Sequence, residues 1–443
     1  METKKGLKPF SEKDRAIGSV PLDKRLHWVS PMIIYAGCEF CIPVILVGSG
    51  LLTGLKLWEA IAVIMIALSI TWVGDAIAAT IGGKTGRAST VIAKCSFGSI
   101  QARTLIVLIV VLMGLGWWAI QTAVMGNAMC AMLGIDYEAQ RLAWAGITML
   151  VGIIFAIPAI LGYGSMKWVN YLAVPAGLVI LGIGVLLAVK TQGLAGITAW
   201  EPPQKMSWPL AISAIIGVNV CQWVMISDYS RYCKPRLRDT LLMPIGIVAV
   251  GLALMIIGSV MGSASGEPSW DIIGVMTSLG FPVWAFLLLW FAQWTSQLTN
   301  CYTPGLALSN MFNLKTHKGR AIVTALAVVI GLIMALLGIL SRFQDFLLLL
   351  GIVYPPMGAI LFIDFFILRK QKWKEIQGWN WIATLALVIG IAFGYYTQYI
   401  NPAGLPSVQS YVLTTILYLG LMRVKAGVKP DKFTPQSWIS KPQ

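Results

Sequence analysis

Apolar runs of about 20 residues recur along most of the chain, separated by short loops carrying glycine, proline, lysine and arginine. A run of that length crosses the hydrocarbon of a bilayer as one helix, so the pattern predicts an all-α integral membrane protein. Twelve transmembrane helices are expected, over residues 31–52, 57–81, 104–133, 142–161, 166–189, 208–227, 240–262, 281–302, 321–340, 344–368, 380–399 and 406–424. Span 3 is longer than a straight crossing needs and should tilt. Span 8 is the most polar, with Gln293, Thr295, Ser296, Gln297, Thr299 and Asn300.

Span 1 breaks the pattern most sharply. Within PMIIYAGCEFCIPVILVGSGLL it carries Gly37, Glu39 and Pro43. A carboxylate near the bilayer centre costs about 2.5–3.5 kcal/mol. Pro43 removes a helix hydrogen bond, and Gly37 lets the backbone unwind. Non-helical backbone at that depth persists only inside protein or beside a water-filled cavity, so the segment reads as a binding site and the chain as a transporter. Span 6 also sets polar and small residues mid-membrane: Gly217, Asn219, Cys221 and Gln222. Interrupted helices at matching places in two five-helix halves point to an inverted-repeat secondary transporter. Small and polar residues also pack ordinary membrane helices together.

Composition removes several other classes. The chain is 57% hydrophobic and 12% charged, where soluble domains carry roughly 25% charge. The net charge of +15 does not mark a nucleic-acid partner, because the basic residues fall in short loops. Lys84, Arg87 and Lys94, then Arg231, Lys234, Arg236 and Arg238, then Lys315, Lys318 and Arg320, then Arg369, Lys370, Lys372 and Lys374 all share one side if both termini are cytoplasmic. Residues 1–30 are polar and basic, without the apolar core of a cleavable signal, and read as a cytoplasmic tail. Residues 425–443 read as a second one. The expected location is multi-pass in the plasma membrane, the inner membrane of a bacterium.

An enzyme is not expected. No HExxH, GxSxG or paired intramembrane aspartates occur, and the two histidines, His27 and His317, lie outside the spans. The single CxxC, Cys38 and Cys41, has no second pair to make a zinc site. No cofactor is implied beyond a coupling ion.

Three groups of residues carry candidate chemistry. Trp117 and Gln121 are four apart on span 3 and share a face, offering a flat apolar surface and a donor–acceptor amide to a planar ring. Taken alone, a packing tryptophan and an interhelical hydrogen bond account for them more plainly. Thr295 and Ser296, shortly after Ala292, offer hard oxygen to a small cation, although such hydroxyls commonly bond to their own helix. Glu39 has no basic residue at its depth and reads as a proton carrier, a ligand for a cationic or amidine-bearing substrate, or a field favouring sodium. Asp75, late in span 2 and nearer the inner surface, reads as a cytoplasmic gate or packing residue about as readily as a part of the transport chemistry. Asp228 and Arg231 read equally as a gate ion pair or a solvated helix end.

The motifs then converge. GGKTGRASTVIAKCSFG at 82–98, GWW at 116–118, SDYSRY at 227–232 and WTSQ at 294–297, in this order, resemble the nucleobase:cation symporter family of cytosine, purine, hydantoin, allantoin and uracil permeases. The resemblance covers roughly residues 30–370. It implies the leucine-transporter-type fold, with inverted repeat 1 over 31–189, inverted repeat 2 over 208–368, and two final helices over 380–424. It implies that Trp117 stacks on the substrate with Gln121 beside it. It also implies contacts from Gly217, Val218 and Asn219, with Trp223 a turn below and Gln297 on the heterocycle. A sodium site is implied at Gly37 and Phe40 with Ala292, Thr295 and Ser296. Glu39 and Asn219 depart from the cytosine permease pattern, which leaves the substrate open.

The expectation is a symporter importing a nucleobase or similar planar nitrogen heterocycle with Na+ or H+. The alternative keeps the fold and carries an aminopyrimidine, such as a thiamine precursor, or another cationic ligand on Glu39.

Overall fold

The computed structural model describes residues 18–161, 163–314 and 316–428, so most of both expected tails lies outside the described residues. Each of the twelve predicted stretches is helical. Among the described residues nine helices are long and apolar enough to cross a membrane, and the bent pair at span 1 raises the count to ten. Val283–Met311 and Pro406–Val428, 29 and 23 residues long, have the length but a more polar composition. Span 3 runs on from Ser99 to Leu133, 35 residues in all. That length fits a tilted crossing.

Span 1 is two helices. Val29–Glu39 ends where Phe40 takes φ −70° and ψ 78° and Cys41 becomes extended; Ile42–Leu51 then resumes. The halves meet at 69°. Pro43 falls in the first turn of the second half, where a missing N–H leaves no helix bond unmade. Gly37 remains inside the first half, so the opening lies three residues later than the glycine suggested.

The second half crosses span 7 (Ile245–Ser265) at backbone contact. A Cβ on Gly48 would overlap the Met255 carbonyl, one on Gly258 would overlap that of Ile45, and Ser259 Oγ donates to the Gly48 carbonyl at 3.0 Å. Gly258→Ala should push the helices apart and cost about 1–3 kcal/mol, as overpacking does. An unchanged melting temperature in detergent would contradict that contact.

Span 6 is interrupted less deeply. Trp208–Asn219 ends in a turn at Val220 and Cys221 whose dihedrals stay near helical, and short helices follow over Gln222–Met225 and Ser227–Ser230. Gly217, Val218 and Asn219 were expected in the break but lie in the helix before it. With no proline or charge at the turn, the backbone has little reason to open further. Gly217 allows the span to rest on the Leu347 carbonyl of span 10 (Phe343–Phe362).

The signature loop is bonded into the bundle. Ser89 N donates to the Asp228 carboxylate at 2.9 Å, and Ser89 Oγ to the Met225 carbonyl at 2.9 Å. Arg231 Nε donates to the backbone carbonyl of Asp228 at 3.1 Å. Asp364 accepts from Arg369 Nε at 2.5 Å, from Ser96 Oγ at 3.2 Å and from the Tyr418 hydroxyl at 3.0 Å. Arg369 also donates to the Cys95 carbonyl at 2.5 Å. Residues 20–26, read from sequence as part of a tail, are in fact docked: Val20 N donates to the Gly86 carbonyl at 2.8 Å and Leu26 N to that of Tyr232 at 2.7 Å.

Candidate functional site

Spans 3 and 8 face each other through a polar ladder. Gln121 Nε2 donates to Ser296 Oγ at 2.9 Å, Asn300 Nδ2 donates to Gln121 Oε1 at 3.3 Å, and Gln297 Nε2 donates to Thr122 Oγ1. The spacing explains the register. Ser296 and Asn300 are four apart and share one face of their helix, as Trp117 and Gln121 do on theirs, while Gln297 and Thr122 each lie one residue further round. Gln297 is fully buried, and its Oε1 has no hydrogen-bond partner among the described residues.

Trp117 sits one turn from Gln121, 7% exposed, with its ring edge-on to Phe343 at 5.9 Å and Phe346 at 5.5 Å on span 10. Trp118 turns the other way and fits over Gly331 and Gly152. Of the GWW pair, only Trp117 faces the side that spans 6 and 10 close. The Phe343 ring in turn meets Trp270 at 6.1 Å, so an aromatic chain leads from Trp117 to the loop before Ile272–Ser278.

The span 1 break is held by span 8. Ile42 N, the first free amide of the second half-helix, donates to Gln293 Oε1 at 2.8 Å. Gln293 is fully buried and its Nε2 has no partner among the described residues. The sequence showed Gln293 only as one polar residue among many; its position one turn before Gln297 was the available signal. Gln293→Leu should leave the Ile42 amide without an acceptor, at about 1–3 kcal/mol. Transport should fall while membrane insertion persists, and wild-type transport rates would contradict the bridging role.

The other expected residues divide. Phe40 and Ala292, two of the expected cation ligands, line one small cavity with Ile42, Ile45, Gly177 and Leu254. Ser296 is buried nearby and accepts the Gln121 amide. Gly37 stands three residues before Phe40, and the Thr295 side chain lies outside the described residues. Asn219 and Val218 are buried in span 6.

Glu39 and Trp223 are turned elsewhere. The Glu39 carboxylate lies beside Asn219 and against Gly251 of span 7, and its Oε1 has no hydrogen-bond partner among the described residues. Trp223 Nε1 donates to the Thr71 carbonyl of span 2 (Leu57–Thr85) at 3.1 Å, with its ring against Gly74 and 5.5 Å from Tyr411. Neither side chain joins the ladder under Trp117.

Comparison with known proteins follows this geometry. A family model described as "Permease for cytosine/purines, uracil, thiamine, allantoin" matches residues 20–413. The cytosine permease of Escherichia coli (strain K12) is 25% identical over 392 residues, covering 87% of this chain and 90% of that one. Among solved structures, the inward-facing conformation of Mhp1 superposes with a TM-score of 0.78 at 18% identity, over 97% of this chain and 98% of that one. Mhp1 in a closed conformation, a nucleobase-cation-symport-1 family transporter with bromovinylhydantoin bound, gives 0.72 at 20% identity, over 96% and 98%.

Proposed function

The chain belongs to the family of permeases for cytosine/purines, uracil, thiamine and allantoin, and from that premise we propose that it imports a nucleobase or related planar nitrogen heterocycle by cation symport. It is a multi-pass membrane transporter, not an enzyme. The observation carrying the substrate class is Trp117 one turn from Gln121, whose amide is bonded to Ser296 and Asn300 of span 8; further along span 8, Gln297 Oε1 and Gln293 Nε2 have no partner among the described residues. Buried polar groups left without partners are costly. A ring edge that both donates and accepts would satisfy them, while its face lies on the tryptophan.

In the proposed cycle both termini are cytoplasmic and one helix bundle rocks against the other to open the inner side. The cation bridges the Phe40 carbonyl of the span 1 break and the Ala292–Ser296 stretch of span 8, with sodium the better fit to neutral oxygens. Gln121 and Gln297 read the ring edge, and Gly217 and Val218 shape the wall beside it. The cytosine permease relative and the bromovinylhydantoin bound to Mhp1 support a planar heterocycle of this size.

A thermal-shift screen with cytosine, uracil, hypoxanthine, allantoin and hydroxymethylpyrimidine tests the class. At least one should raise the melting temperature of the wild type. Stabilisation by acyclic amines alone, with none by any ring in the panel, would overturn the reading.

A further inference from the structure

Asp75 is the least accounted-for group in the bundle. It is fully buried on span 2, and neither carboxylate oxygen has a hydrogen-bond partner among the described residues. None of the ion pairs among the described residues includes it. The charged group acting on it is another acid, Glu39 of span 1. Tyr35 of span 1 and Cys221 of span 6 also lie within its electrostatic reach. The Tyr35 hydroxyl is itself buried without a partner among the described residues. Span 7 contributes no titratable side chain.

An ionised carboxylate so placed would be desolvated, unpaired and beside a second acid. Such a charge is avoided either by a counter-ion or by protonation. Among the described residues no group of three or more histidine, cysteine or carboxylate side chains could hold a metal ion, and Asp75 is not among the residues lining the cavity at Phe40 and Ala292. We infer that Asp75 is a proton site, occupied while buried, so that a proton travels with the heterocycle alongside any cation at the span 1–span 8 site.

In the proposed cycle the inner half-helix of span 1 moves when the inner side opens. Tyr35 belongs to the inner half-helix of span 1, and its ring lies 5.1 Å from that of Tyr229 at the end of span 6. When that half-helix swings aside, Asp75 meets water and its proton leaves as H+, restoring the carboxylate. In the opposite state one proton re-enters from outside. The balance is one proton per carboxyl per cycle, and binding and release need no further reactant.

This inference rests on the transporter reading, and the experiment separates the two. Purified protein in liposomes is given equal sodium on both sides and an inward proton gradient, with uptake followed for the panel compound that binds. Wild type should concentrate it, and an internal pH dye should report protons entering with it. Asp75→Asn mimics the protonated acid, so it should lose at least tenfold in gradient-driven accumulation while still exchanging labelled for unlabelled substrate. Unchanged proton-driven accumulation by Asp75→Asn would overturn the inference. So would wild type that exchanges substrate with no proton entry, which also decides the matter if the variant fails to fold. Wild type that exchanges no heterocycle would instead overturn the transporter reading itself.

Discussion

Trp117→Ala should weaken heterocycle binding by about one to two orders of magnitude while the protein still inserts and folds. Stacking of a base on an aromatic side chain is worth about 1–3 kcal/mol, and about 1.4 kcal/mol is tenfold in affinity. A permease working at micromolar substrate would thus lose one to two orders of magnitude. Trp117→Phe separates stacking from volume: it keeps a ring between Phe343 and Phe346 and should retain most of the affinity. Near-normal binding by the alanine variant would move the site elsewhere. Removing so large a side chain also costs about 3–5 kcal/mol of packing, so melting temperature must be read beside affinity.

The second large effect belongs to the loop end of the bundle. Asp364→Ala should destabilise the protein by about 3–5 kcal/mol, the cost of leaving a buried charge unpaired. Arg369 would lose its 2.5 Å partner while 2% exposed, and Ser96 and Tyr418 would lose their acceptor. Thermal unfolding in detergent should show the loss. Replacing Asp364 and Arg369 together with apolar residues should recover part of it, since no lone charge then remains buried. A single variant as stable as wild type would show that the pair does not pin the loop at 82–98.

The sequence made the fold legible at the level of helices because lipid leaves the backbone few alternatives. Every predicted stretch is helical, and span 1 breaks where a proline and an acid interrupt apolar residues. What stayed hidden depends on which way a side chain turns about its helix. Glu39 read from its depth as a proton carrier, a substrate ligand or a field favouring sodium, and depth alone gave no sign that its carboxylate lies against Gly251 and beside Asn219. Trp223 looked like a pocket residue, yet it bonds to Thr71. Gln293 looked like background polarity and proved to hold the Ile42 amide. A register error of one residue on a helix is 100°, enough to carry a side chain from a pocket into a helix interface. Residues 20–26 were misread for another reason: a short polar segment gives no sign that loop carbonyls such as those of Gly86 and Tyr232 await its amides.

The central claim is that Trp117 and the ladder from Gln121 to Gln297 form the site through which a cation gradient moves a heterocycle. Uptake into proteoliposomes tests it most directly, with wild type and Trp117→Phe compared with Trp117→Ala under an imposed sodium or proton gradient. Wild type and the phenylalanine variant should concentrate one panel compound above its outside level, and the alanine variant should not. Equal accumulation by all three, or mere equilibration by the wild type under both gradients, would contradict the account.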